Sequence, residues 1–120
     1  MTCDASARAA WLCAMVPAEG GAAGRIQDAL AQFGLPAVAI HRARGALPGC
    51  PLDRRGIPIW QEMLILEAVV PAEQAEAAFR TAFDAGGIGI PESGVLLMGR
   101  LSRASRYAIS SRDGDPAGME

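Results

Sequence analysis

The chain contains no lysine: all eleven of its basic residues are arginine. A phosphate-gripping lysine of the P-loop kind is therefore excluded, and any bound anion must be held by guanidinium forks or backbone amides. Aromatic residues are scarce at 5 %, so the 51 % hydrophobic content is mostly aliphatic. A net charge of −2 gives no electrostatic footing for nucleic acid. No apolar run approaches the ~20 residues of a membrane span, and no secretory leader is visible, so the expectation is a cytoplasmic protein without membrane insertion. The three cysteines, Cys3, Cys13 and Cys50, are odd in number and lack the spacing of a zinc site. Cys13 stands in an apolar run and is expected in the core. Cys50 stands in a Pro/Gly loop and is the candidate exposed thiol. His41 is the single histidine.

At 120 residues the chain is expected to form one domain over residues 1–109. Residues 1–9 are expected to be loose, and the Gly/Asp/Pro-rich stretch 110–120 reads as a disordered tail. The aliphatic surplus, with a mean hydropathy of +0.20, points to a buried subunit interface.

Trp11 to Val16 is a short apolar run closed by Pro17 and reads as a strand. Ile26, Ala29, Leu30 and Phe33 recur at helical spacing, and Gly34 ends that helix. Ala37 to Ile40 begins a second strand. A Pro/Gly-rich loop from Arg42 to about Pro58 follows, long enough to suggest a function. Trp60 to Val70 is a third strand. The next helix turns Ala75, Ala78, Phe79 and Ala82 inward and Glu73, Glu76 and Arg80 outward. A glycine-rich loop, Ala85 to Gly94, leads into a last strand, Val95 to Met98. Its glycines leave backbone amides open to a phosphate, although an ordinary helix-to-strand connection would look similar.

The order β-α-β-β-α-β predicts an α+β, ferredoxin-like fold: an antiparallel sheet with two helices on one face. Runs such as Met63 to Leu66 do not alternate, so the strands are apolar on both faces. A chain this short has no spare element for the second face, and oligomerisation is the expected cover.

Four segments, in order and spacing, resemble PII signalling proteins. Ala29 to Ile40, ending at Arg44-Gly45, is similar to their first helix and second strand. Leu66 to Gln74 is similar to their third strand and the entry to the second helix. Gly86-Gly87-Ile88-Gly89 resembles their nucleotide-cradling loop, and Arg103-Ala104-Ser105-Arg106 their C-terminal arginine stretch. The resemblance implies a homotrimer that binds adenine nucleotides in clefts between subunits and signals through a loop after the second strand. It places Gly45 at the base of that loop, Gly86, Gly87, Ile88 and Gly89 at phosphate, Arg103 and Arg106 at phosphate from the C-terminal side, and Ala39 and Val69 near the base or ribose.

The chain departs from that pattern. The signalling loop is shorter and lacks a tyrosine, and Gly-Ile-Pro-Glu-Ser-Gly stands where the family carries a lysine for the outer phosphates. Ala39 replaces a threonine that faces the adenine. ADP or AMP is therefore expected over ATP. The divergent PII-like proteins of inorganic-carbon uptake and carboxysomes fit better, with bicarbonate as a second ligand and a transporter or metabolic enzyme as the target. Arg42, Arg44, Arg54 and Arg55 are the candidate bicarbonate forks, against the ordinary reading of solvated surface charges. Two other trimeric or regulatory classes share the element order: metal-binding proteins of the CutA kind and amino-acid-binding ACT modules. An enzyme would have to use His41 as a base, and no nucleophile accompanies it. No catalytic or metal-ligating residues and no catalytic cofactor are expected.

Overall fold

The structure, a computed structural model, describes residues 6–35, 38–47, 50–91 and 93–105. Cys3, Arg106, Tyr107 and the stretch 110–120 lie outside the described residues. The elements are β1 (Ser6–Ala7), β2 (Ala9–Pro17), α1 (Ala22–Phe33), β3 (Ala39–Gly45), β4 (Gln61–Pro71), a 3-10 turn (Ala72–Gln74), α2 (Ala75–Gly86), β5 (Val95–Arg100) and β6 (Ala104–Ser105). Four strands form an antiparallel sheet in the order β3-β4-β2-β5, and β1 pairs separately with β6. The ferredoxin-like arrangement read from the sequence is present.

Strand parity separates two faces, because successive side chains alternate across a sheet. Leu12 pairs with Ala68 and Met98, and Ala14 with Leu66 and Leu96. Leu12, Ala14, Leu66 and Ala68 join Ile26 and Leu30 of α1 and Ala78 and Ala82 of α2 in the core, so both helices lie on this face. Helix α1 stops where Gly34 adopts a φ of 111° and donates to Leu30 O and Ala31 O, both at 3.1 Å. Only glycine takes that conformation without a steric penalty.

The opposite face carries Trp11, Cys13, Met15, Ile65, Glu67, Val69, Val95 and Leu97 by register. It is apolar except for Glu67 and, on β3, His41, and no described element packs over it. Val69 and Leu97 are exposed there, while Cys13 is buried within the sheet itself.

Three sequence expectations are corrected. Residues 6–9, expected to be loose, form β1 and the start of β2. The loop does not begin at Arg42, because the second strand runs on to Gly45, with Arg42 opposite Leu64 and Arg44 opposite Glu62. Arg42 and Arg44 therefore belong to a strand rather than to the loop. An edge strand tolerates and favours such charges, and Arg44 Nε meets its cross-strand partner Glu62 Oε2 at 3.3 Å. Ala85 and Gly86, read as the start of the loop, are the last two residues of α2, and Gly86 is buried.

Candidate functional site

The glycine-rich segment is a helix terminus before it is anything else. Gly87 takes a φ of 67° and caps α2, donating to Asp84 O at 3.3 Å, and Ile88 N–H donates to Phe83 O at 3.1 Å. Two of the four amides read as a phosphate cradle are thus used by the helix end, and Gly86 lies inside the helix. Donation to a phosphate by Gly87 or Ile88 requires these cap bonds to open.

The glycines also have steric reasons to be there. A Cβ on Gly86 would stand 2.8 Å from Ile26 Cδ1, a side chain buried in the core. A Cβ on Gly89, where φ is 115°, would stand 3.0 Å from Cζ of Phe83. The open cradle imagined at Gly89 is therefore partly floored by an aromatic ring, and that ring stacks in turn on Phe79 with centroids 6.4 Å apart. Gly89→Ala is expected to destabilise the fold by about 1–2 kcal/mol through left-handed backbone strain and displacement of the ring. Chemical denaturation of the variant measures it; an unchanged midpoint would show that the loop can move away at no cost.

Arg25 braces this end of the molecule and was not singled out in the sequence. It sits in the first turn of α1, where the helix dipole disfavours a cation. Its guanidinium finds compensation in carbonyl oxygens: Nε donates to Ala85 O at 3.0 Å and one terminal nitrogen to Gly20 O at 2.8 Å. An arginine in the first turn of a helix with no acidic residue there is the signal that could have marked it.

The remaining site residues spread along the sheet. Gly45 pairs with Gln61 and lies at the end of the sheet where β2 finishes and β5 begins, but on the β3 edge, with β4 and β2 between it and the β5 edge that the glycine-rich segment enters. Ala39 stands opposite Glu67 in mid-sheet, and Val69 stands opposite Trp11 nearer the other end. Both lie on the uncovered face. Arg103 follows β5 at the far end. Five strand steps of about 3.3 Å separate Val95 from Arg100, so roughly 17 Å lies between the glycine-rich end and the arginine end of one subunit. The structure brings Ala39, Glu67 and Val69 together and does not bring Gly86–Gly89 to Arg103. Arg106 lies outside the described residues.

The four bicarbonate candidates divide into two pairs. Arg42 and Arg44 lie on β3, and Arg44 already has Glu62. Arg54 and Arg55 lie at the tip of a short, ordered hairpin. Asp53 Oδ1 accepts from Arg55 N at 2.8 Å and from Ile57 N at 3.0 Å, while Asp53 N donates to Ile57 O and Ile59 N to Pro51 O. This is the Asx-turn chemistry that Asp followed by Arg-Arg-Gly permits. Leu52, Ile57, Ile59 and Trp60 are exposed around it.

His41 is exposed on β3, on the uncovered face opposite Ile65. Cys13 stands opposite Glu67. Burial pushes its thiol above the ordinary range, and the Glu67 charge raises it further, so it remains protonated near neutral pH and is a poor nucleophile. Cys50 is half-buried in the loop, where its N–H donates to Leu47 O. Among the described residues no three His, Cys, Asp or Glu side chains cluster as a metal site, and no helix is long and apolar enough to cross a membrane.

No protein-family model and no curated protein matches the chain. Solved structures do. Arabidopsis thaliana PII bound to citrate is 19 % identical, with a TM-score of 0.61 over 80 % of this chain and 77 % of that one. The B. subtilis GlnK–ATP complex is 18 % identical, with a TM-score of 0.62 over 79 % of this chain and 84 % of that one. B. subtilis GlnK alone is 17 % identical, with a TM-score of 0.61 over 80 % and 87 %. The fold is PII-like.

Proposed function

We propose that this chain is a regulatory sensor, not an enzyme, that binds an adenine nucleotide in clefts between three copies of itself. One observation carries the reading: residues expected at a single ligand lie at opposite ends of one subunit's sheet, about 17 Å apart by strand rise. A second copy that sets its arginine end beside the glycine-rich end of the first would complete the site. The uncovered apolar face supplies the surface for such closure. The PII and GlnK structures of the same fold, described with citrate and with ATP, support this choice of ligand class.

The nucleotide is ADP or AMP in preference to ATP, because no lysine exists to meet a third phosphate. Bicarbonate is the proposed second ligand, and Arg54 and Arg55 on the hairpin are better placed for it than Arg44, which is already paired. The hairpin passes the ligand state to a transporter or enzyme of inorganic-carbon or nitrogen metabolism, in the cytoplasm.

Calorimetric titration of the purified chain with ADP, AMP and ATP, each with and without bicarbonate, tests the reading. ADP is expected to bind at least fivefold more tightly than ATP. ATP binding more tightly would overturn the preference, and thermal stabilisation by copper alone would favour a CutA-like metal-binding protein instead.

A further inference from the structure

We propose that Arg8 and Arg100 join Arg103 in a phosphate-binding cluster at the β1–β6 end of the sheet. The inference deepens the nucleotide reading above and rests on it for the identity of the ligand. Residue numbers in the ladder carry the argument. Ala10 pairs with Arg100, and Ala9 O accepts from Leu101 N at 3.1 Å. One step on, Ala7 pairs with Ala104 and Ser6 with Ser105. Between these pairings a single residue, Arg8, faces two, Ser102 and Arg103. This is a β-bulge, a device that bends a strand and re-aims a side chain, and bulges are concentrated beside functional sites.

The bulge sets Arg8 across from Arg103, with Arg100 diagonal to Arg8. Like charges at facing positions of a ladder are destabilising, so a carboxylate would be expected among them. Among the described residues none pairs with them: the ion pair found there is Arg44–Glu62. Glu73, the neighbour of Ala72, is exposed and does not reach Arg8. All three arginines are exposed. The backbone beneath them is held from both sides, because Arg8 O accepts from Ala72 N at 3.2 Å while β1 pairs with β6. Three guanidiniums that find no carboxylate among the described residues, on a frame held by the ladder, suit an anion with several charged oxygens, and a diphosphate meets that description better than a single carboxylate. Strand β1 thereby acquires a purpose: it carries Arg8 to the C-terminal arginines.

Calorimetry of the full chain with pyrophosphate, ADP and adenosine tests the cluster. Arg8→Gln is expected to raise the dissociation constants for pyrophosphate and ADP about tenfold, to leave adenosine unaffected, and to leave the melting temperature within a degree or two. Arg8→Lys should restore part of the loss, and Arg100→Gln should repeat it. Unchanged pyrophosphate and ADP affinities in Arg8→Gln, or no pyrophosphate binding by the wild-type chain, overturn the cluster. The two readings fail separately. ADP binding that ignores Arg8 removes the cluster and leaves the sensor. Arg8-dependent binding of pyrophosphate without adenine-nucleotide binding does the reverse.

Discussion

Gly94→Ala is expected to lower the folding stability by about 3 kcal/mol, the largest effect of a methyl added at any described glycine. Gly94 has a φ of 142°, which L-residues rarely adopt, and a Cβ there would stand 2.8 Å from the backbone oxygen of Met15 and 2.9 Å from Cγ1 of Val16. Val16 is completely buried and Met15 is held in the ladder between β4 and β5, so neither can retreat. Gly86 differs in this respect, because the crowding there comes only from side chains, Ile26 and Ile88. For a domain of this size the loss corresponds to a fall in melting temperature of roughly 10–15 °C. Differential scanning calorimetry would show it. A fall of under 3 °C would mean that the start of β5 is not fixed as described.

Leu97→Asp is expected to leave the subunit folded and to prevent its assembly. Leu97 lies on the uncovered face opposite Cys13 and is already 38 % exposed in the single chain. A carboxylate at this position costs little while the face is wet. Once copies close over the face, the charge is buried, and a lone buried charge costs several kcal/mol per copy. The dissociation constant of the assembly should therefore rise at least a hundredfold, and ADP affinity should fall with it, because the proposed clefts lie between copies. Sedimentation velocity with parallel far-UV circular dichroism separates this outcome from simple unfolding. A variant that assembles as the wild type does would place the interface on another surface.

Much of the fold was legible because its signals are local. Helical spacing from Ile26 to Phe33, the αL stop at Gly34 and the Pro17 and Pro71 strand ends all depend on residues within a few positions of one another. The lack of alternation in Met63 to Leu66 signalled a face left apolar, and the structure shows that face. What escaped notice depends on distant partners. Arg42 and Arg44 look like loop residues until Leu64 and Glu62 stand opposite them. The glycines from Gly86 to Gly94 look like an opening toward a ligand, yet Ile26, Phe83 and Met15 crowd the space beside Gly86, Gly89 and Gly94, and only Gly87 among these four faces open space. Arg25 reaches a carbonyl sixty residues away, and the bulge that lifts Arg8 to Arg103 depends on pairing between the two ends of the described chain. The candidate site was legible as a set of residue types, but the distance between its two halves appeared only once the sheet order was known.

Sedimentation equilibrium of the wild-type chain with ADP, followed by nucleotide absorbance, tests the central claim most directly. The account predicts a species of three times the 12.5 kDa subunit mass that carries ADP down with it. A 12.5 kDa species binding ADP on its own, or a trimer that leaves ADP behind, would contradict it.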